Sequence, residues 1–361
     1  LQFRLEPRGE RSAFWTYSSP VLAVLLTIIT MGIIFALMGA PPITAITTFL
    51  ISPLTTVTGL SSLAIRAAPL IMIGTGLAFC YRANVWNIGC DGQFTLGALA
   101  GGGLALCFPN AAFWWFYPVV LIAGALGGMA WAAIVAFLKL RFNANEILTS
   151  LMLVYIAQLV LVWLVTGPWR DPMGYGFPQS AMFSAGATTP TFGTTSIHLG
   201  CLLAPLLAIA VWLVMTRSVL GFQLQVVGQA PRAARYAGFS NARLTWIALA
   251  VSGGLSGLAG IIEVTGPIGQ LTTGITPGYG FTAVIVAFLG RLHPIGVIFA
   301  GLLLALSYLG GDAAQINLNL PNAITGIFQG VLLFYLLGAD ILILYRIKRV
   351  KPIILAAEPA E

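Results

Sequence analysis

The chain has 361 residues, 58% of them hydrophobic and 7% charged, with 41 glycines in addition. Soluble domains carry about 45–50% apolar and about 25% charged residues, so a soluble globular protein is excluded, and about ten helices of roughly 20 residues are needed to hold the apolar excess. The net charge of +7 does not signal nucleic acid, because no run of Lys and Arg sits on a soluble segment large enough to form a binding face.

In chain order, apolar runs predict helices near residues 20–40, 62–81, 86–108, 115–138, 146–166, 199–216, 244–266, 272–290, 294–311 and 321–344. The expected fold class is all-α, a polytopic membrane protein of about ten transmembrane helices. The first run, Pro20 to Ala40, is longer than a signal-peptide core and ends in Pro41-Pro42 without an A-x-A site, so it is expected to stay as a span. With the N-terminus inside, ten spans place Arg4, Arg8, Arg11, Arg82, Lys139, Arg141, Arg217, Arg232, Arg235, Arg243, Arg291, Arg346, Lys348, Arg349 and Lys351 on the cytoplasmic side, leaving Arg66 and Arg170 outside. This asymmetry is what the positive-inside rule demands, and it predicts N-in and C-in termini.

The expected division is a cytoplasmic segment 1–19, a transmembrane domain 20–345 and a cytoplasmic tail 346–361. Two loops are too long to be simple connectors, the outer segment 167–197 and the cytoplasmic segment 217–243. Small residues recur at helix-packing spacing in Gly97/Gly101, Gly124/Gly128, Gly253/Gly257, Ser256/Gly260 and Gly326/Gly330, as expected where lipid supplies no hydrophobic drive between helices. Cys80, Cys90, Cys107 and Cys201 show no C-x-x-C spacing and read as small hydrophobes.

In the cytoplasmic loop, Pro231 suits the first turn of a helix and Gly238 its end, which predicts about two helical turns. A helix that short is unstable alone in water and must dock on something. Ala233, Ala234 and Ala237 offer a smooth face, and Arg232, Arg235 and Tyr236 offer anchors; a basic loop touching lipid headgroups is the other reading. The residues Val227, Gly228, Pro231, Ala233, Ala234, Arg235, Tyr236, Ala237 and Gly238 resemble the Val-Gly-x-Asn-Pro-x-Ala-Ala-Arg-Tyr-Ala-Gly coupling segment of permease subunits of ATP-binding-cassette importers in the branched-chain amino acid, ribose and nucleoside group. Ala230 stands where that group usually has Asn, and Arg232 where an acidic residue is common.

Two further segments resemble the nucleoside branch of the group. One is Arg82-Ala83-Asn84-Val85-Trp86-Asn87-Ile88-Gly89-Cys90-Asp91-Gly92-Gln93-Phe94, and the other runs from Asn143 through Asn145 and Glu146 to Leu153. Glycines and amides crowded at the start of a span predict a broken or re-entrant helix lining a cavity, with Asn84, Asn87, Gly89, Asp91, Gln93, Asn145 and Glu146 as candidates for the translocation path. Asp91, Glu146 and Glu263 are carboxylates in or near the membrane, where such groups are functional suspects; a structural charge at a helix start is the plainer reading of the first two.

The resemblance implies a permease subunit in a bacterial inner membrane, partnered by cassette ATPase subunits, a second permease chain and an extracytoplasmic solute-binding protein. No G-x-x-x-x-G-K-[ST] occurs, so no cofactor is expected in this chain, and ATP with Mg belongs to the partner ATPase. Gly228, Pro231, Arg232, Ala233, Ala234, Arg235, Tyr236 and Gly238 are the expected ATPase-coupling residues, and Arg66 and Arg170 the expected docking points for the binding protein. The neutral amides along the path suit a neutral polar solute, and the resemblance to the nucleoside branch implies nucleosides first and simple sugars second, with Trp86, Phe94 and Tyr155 available to stack. An ion-coupled secondary carrier is a weaker alternative, lacking a midplane carboxylate. A serine-protease reading of Gly254-Leu255-Ser256-Gly257 with His293 fails because Ser256 lies deep in its span and His293 at the edge.

Overall fold

The computed structural model describes residues 2–7, 12–111, 113–192 and 196–350. Arg8, Arg11 and Lys351 lie outside the described residues. In chain order the elements are β1 (Gln2–Pro7), α1 (Ala13–Leu37), α2 (Pro42–Leu50), α3 (Val57–Arg82), α4 (Cys90–Cys107), α5 (Phe116–Phe142), α6 (Glu146–Thr166), α7 (Leu199–Arg217), α8 (Val219–Gln229), α9 (Pro231–Tyr236), α10 (Asn241–Glu263), α11 (Tyr279–Leu289), α12 (Pro294–Leu318), α13 (Ala323–Leu344) and β2 (Tyr345–Val350). They form two compact units, residues 49–313 on the one hand and residues 1–48 with 314–361 on the other.

Among the described residues, eight helices are long and apolar enough to cross a membrane. Two of the ten expected spans fall short of that standard. The run at 86–108 becomes helical only at Cys90, because Asn84 takes a left-handed φ of 54° and residues 83–89 stay irregular. The run at 272–290 becomes the 11-residue α11, started by Gly278 at φ 89°. At 1.5 Å per residue α11 covers about 16 Å, roughly half a hydrocarbon core.

In the larger unit α10 packs against α3, α4 and α5. The most apolar stretches of α3 and α10 are 78% and 72% buried, against 22% for α6 and α7, so the first pair forms the centre and the second presents its apolar side chains outward. The paired glycines explain how α4, α5 and α10 fit. A Cβ at Gly97 would stand 2.2 Å from the Gly257 Cα, and one at Gly128 would stand 2.2 Å from the Gly253 carbonyl oxygen. The helix backbones therefore touch directly, as the small-residue spacing predicted. Gly326 and Gly330 do not follow the pattern, with nothing within 4 Å of an added Cβ.

α10 ends in a π-helical turn, Val264–Ile268, carrying Pro267. The segment 180–189 is seated on that break. The Ser180 N–H donates to the Leu271 carbonyl at 2.8 Å, the Phe183 N–H to Gly269 at 3.0 Å and the Thr189 N–H to Thr265 at 2.9 Å. Tyr117 adds a hydroxyl bond to Thr189 at 2.8 Å.

In the smaller unit α1 packs along α13, joined by Ser19 Oγ donating to Asp340 Oδ1 at 3.0 Å and by a 2.8 Å contact between the Thr30 and Tyr335 hydroxyls. Ile29, Ile33 and Phe334 stay exposed, as a membrane-facing surface requires. β1 and β2 pair antiparallel from Gln2↔Val350 to Pro7↔Tyr345. Among the described residues this ribbon is the exception to an otherwise all-α fold.

Candidate functional site: a surface helix and a buried polar junction

Pro231 opens α9 at its first turn, and Gly238 closes it at φ 79° with the Phe239 N–H returning to the Ala234 carbonyl at 2.9 Å. The helix lies where Pro231 and Gly238 implied, but its six residues make somewhat less than the two turns expected. Ala234 is buried, whereas Arg232, Ala233, Arg235 and Ala237 are exposed and Tyr236 is 95% exposed. The smooth face therefore consists of Ala233 and Ala237, with Ala234 serving as the foot. Beside α9, a cleft of about 450 Å³ is lined by Leu220, Gln223, Phe239, Arg243, Leu244 and Ile247.

α8 links this surface to the rest of the unit. A Cβ at Gly228 would stand 2.2 Å from the Arg82 carbonyl oxygen, so only glycine lets α8 approach the end of α3 there. Arg82 Nη2 donates to Gln225 Oε1 at 2.7 Å. Arg82 thus holds α8 and also begins the irregular stretch leading to α4.

From Asn87 onward the stretch is largely buried and closed by its own amides. Asn87 Nδ2 donates to Gln93 Oε1 and to Ser252 Oγ, each at 2.9 Å, while Gln93 Nε2 returns a bond to Asn87 Oδ1 at 3.1 Å. The Gly89 N–H also reaches Asn87 Oδ1, and a Cβ on Gly89 would lie 2.9 Å from Ser150 on α6. Ser252 is near the middle of α10, so the predicted broken helix start lies well inside the bundle. A buried irregular backbone needs this many partners to be tolerated.

Asp91 is 1% exposed and fully engaged. Its Oδ1 accepts from the Thr276 hydroxyl and from the Gly280 N–H, each at 2.9 Å, and its Oδ2 from Gln158 at 3.5 Å. Thr276 Oγ1 in turn accepts from the Gly278 and Tyr279 N–H groups. Asp91 and Thr276 together cap the start of α11 and complement its dipole.

The third motif forms the turn between α5 and α6. Asn143 ends α5 at φ 52°, Asn145 Oδ1 accepts from the Ile147 and Leu148 N–H groups, and Glu146 pairs with Lys139. Asn84 accepts from the Trp86 indole at 3.1 Å at an exposed position. Of the expected stacking residues, Trp86 joins Tyr81 and Phe288, Phe94 is fully buried against Tyr279, and Tyr155 is 56% exposed on the outward side of α6. Phe94 and Tyr155 are therefore helix-packing and surface residues here.

Arg66 Nη2 meets Asp312 Oδ2 at 2.6 Å, whereas Arg170 is exposed in the long loop. Asp312 was missed because the expected span stopped at residue 311, although the rule for carboxylates in apolar runs would have found it. Thr276, Gln158 and Gln225 gave no signal of their own.

The profile of the family described as "Branched-chain amino acid transport system / permease component" matches residues 59–337. The chain is 33% identical over 96% of its length to a glucose ABC transporter permease protein, TsgB13, of Haloferax volcanii, covering 94% of that protein. It is 28% identical to the guanosine ABC transporter permease protein NupP of Bacillus subtilis, over 75% of this chain and 78% of that one. A nucleoside ABC transporter permease protein, NupB, of Lactococcus lactis is 26% identical over 88% of this chain and 89% of its own.

Proposed function

This chain belongs to the family of permease components of branched-chain amino acid transport systems, membrane subunits of ABC importers without an ATPase site of their own, and we propose that it conducts a neutral solute bearing a sugar ring. The observation that carries this reading is the exposed α9 turn, hooked through Gly228 and Arg82 to the buried junction of Asn87, Gln93 and Ser252. α9 docks on a cassette ATPase at the cytoplasmic face, where Arg232, Arg235 and Tyr236 supply anchors around the small Ala233. ATP and Mg bind that partner. Movement of α9 reaches the junction through α8, and a two-state rearrangement there opens the path alternately to either side of the cytoplasmic membrane.

A second permease chain completes the pathway, and an extracytoplasmic binding protein delivers the solute. Asp312 holds Arg66, so binding-protein docking rests on Arg170, an exposed cation suited to steering. The long segment 167–198 lies on that outer side in this reading.

Glucose, guanosine and other nucleosides, named for the relatives, share an uncharged hydroxylated ring. Nucleosides are the first reading, supported by the segments from Arg82 and Asn143. A hexose is the second, supported by full-length similarity to the glucose permease. Uptake of radiolabelled guanosine and of glucose by cells carrying the whole importer, each challenged with the other and with leucine, decides between them. Competition by leucine alone would remove the proposal.

A further inference from the structure

The cleft beside α9 lies where one long apolar helix ends and the next begins. α7 ends at Arg217 and α10 starts at Asn241, and both are long and apolar enough to cross a membrane. What lies between those two ends therefore sits at a membrane–water boundary. Along α10 the lining passes from Ser240 and Arg243 to Leu244 and Ile247, while α8 contributes Leu220 and Gln223. Ile247 is four residues deeper than Arg243, about 6 Å, close to the thickness of one lipid headgroup layer. The change from polar to apolar lining thus matches the change from headgroup to acyl chain.

The charge around the cleft has one sign. Asp171 and Glu263 are consecutive carboxylates in the chain, and Arg217, Arg232, Arg235 and Arg243 all fall between them. Arg243 is exposed, and its guanidinium takes part in no ion pair among the described residues. A guanidinium beside an amide and a hydroxyl, with no acid in the lining, selects an anion. The apolar end of the same cleft disfavours an anion that must stay hydrated on every side. Apolar side chains also stand exposed at its edge: Val219 is 71% and Phe222 59% exposed, and Phe222 meets Phe239 edge to face at 6.2 Å. Such side chains are costly against water and at home against acyl chains.

We propose that this cleft binds an acidic glycerophospholipid. Arg243 takes the phosphodiester, Gln223 and Ser240 offer donors to the headgroup oxygens, and the first acyl carbons lie along Leu220, Leu244 and Ile247. With no carboxylate present to receive an ammonium, the cleft favours a headgroup that lacks one over choline or ethanolamine. A lipid held there bridges α8 and α10 beside α9, so the coupling surface is tied to the composition of the membrane. Binding itself requires only the two spans and the cleft between them, whatever solute the chain conducts.

The test places the complete importer, with its ATPase and binding protein, in phosphatidylcholine nanodiscs doped with a lipid that carries a photoreactive group near its glycerol. The doped lipid is phosphatidylglycerol in one arm and phosphatidylcholine in the other, and labelled peptides are mapped after illumination. Labelling of the segment 219–247 by phosphatidylglycerol should exceed that by phosphatidylcholine about fivefold, the weight of one basic side chain at a lipid surface. R243Q should bring the ratio near unity, whereas R141Q, which removes an exposed arginine from the end of α5, should leave it unchanged. L220W fills the apolar end without altering charge; it should lower the labelling too, and it covers the case in which R243Q fails to assemble. Equal labelling by the two lipids in the wild type, or an excess that survives both R243Q and L220W, would overturn the site. Loss of labelling on adding inorganic phosphate at constant ionic strength would also overturn it, because the occupant would then be a free anion. None of these readouts involves transport, so the proposed solute stands or falls separately.

Discussion

His198 shows how one residue can tie the segment seated on the end of α10 to pH. Its Nδ1 accepts from the Gly200 N–H at 3.2 Å, and its Nε2 is buried without a partner among the described residues. Burial holds its pKa below the ordinary value of 6.5. The imidazole is therefore neutral when the segment is seated, whereas a released segment protonates from about 6.5 downward. Stability from this group is complete above 6.5 and is lost as the pH falls from there toward the lowered folded value. Protonation would also remove the acceptor that Gly200 uses. Limited proteolysis within 167–198 should accelerate as pH falls from about 7 to about 5, and H198Q should flatten that dependence. A pH profile identical in the variant would show that the seat is insensitive to this side chain. Asp91 carries the opposite lesson, since sequence marks it as a suspect while its cap on Thr276 and Gly280 depends on partners far along the chain.

Elements were legible to the degree that local chemistry determines them. Pro231 and Gly238 announce α9 because one fixes φ and the other tolerates a positive φ. Hydropathy gave the long spans but not the late start of α4 or the shortness of α11, because an apolar run continues through a break that buried amides and the Asp91 cap make tolerable. β1 and β2 were not foreseen, since six-residue strands joined across nearly the whole chain carry no local pairing signal. At α9, an aspartate in place of Ala233 puts charge and bulk into the proposed contact, at several kcal/mol if unpaired. A233D should abolish coupled uptake while leaving membrane insertion and the amount of chain unchanged. Wild-type transport in that variant would remove α9 from the ATPase interface.

The whole molecule adds a test of orientation. In a chain lacking its four cysteines, Tyr175→Cys should react with an impermeant thiol reagent from outside and Tyr236→Cys should not; these tyrosines are 98% and 95% exposed. The reverse pattern would invert the arrangement of termini expected from the basic residues. The contact of α4, α5 and α10 has a further bearing on movement. Where Gly97, Gly128, Gly253 and Gly257 bring backbone against backbone, no side chain remains between the helices that could change rotamer and absorb a displacement. Such a contact behaves as a dry joint between rigid rods, either seated or parted, so these three helices should travel as one block. The compliance that transport needs must then reside at the block's margins, in the irregular stretch after Arg82 and the broken segment between α10 and α11, where the chain lacks a regular helical ladder.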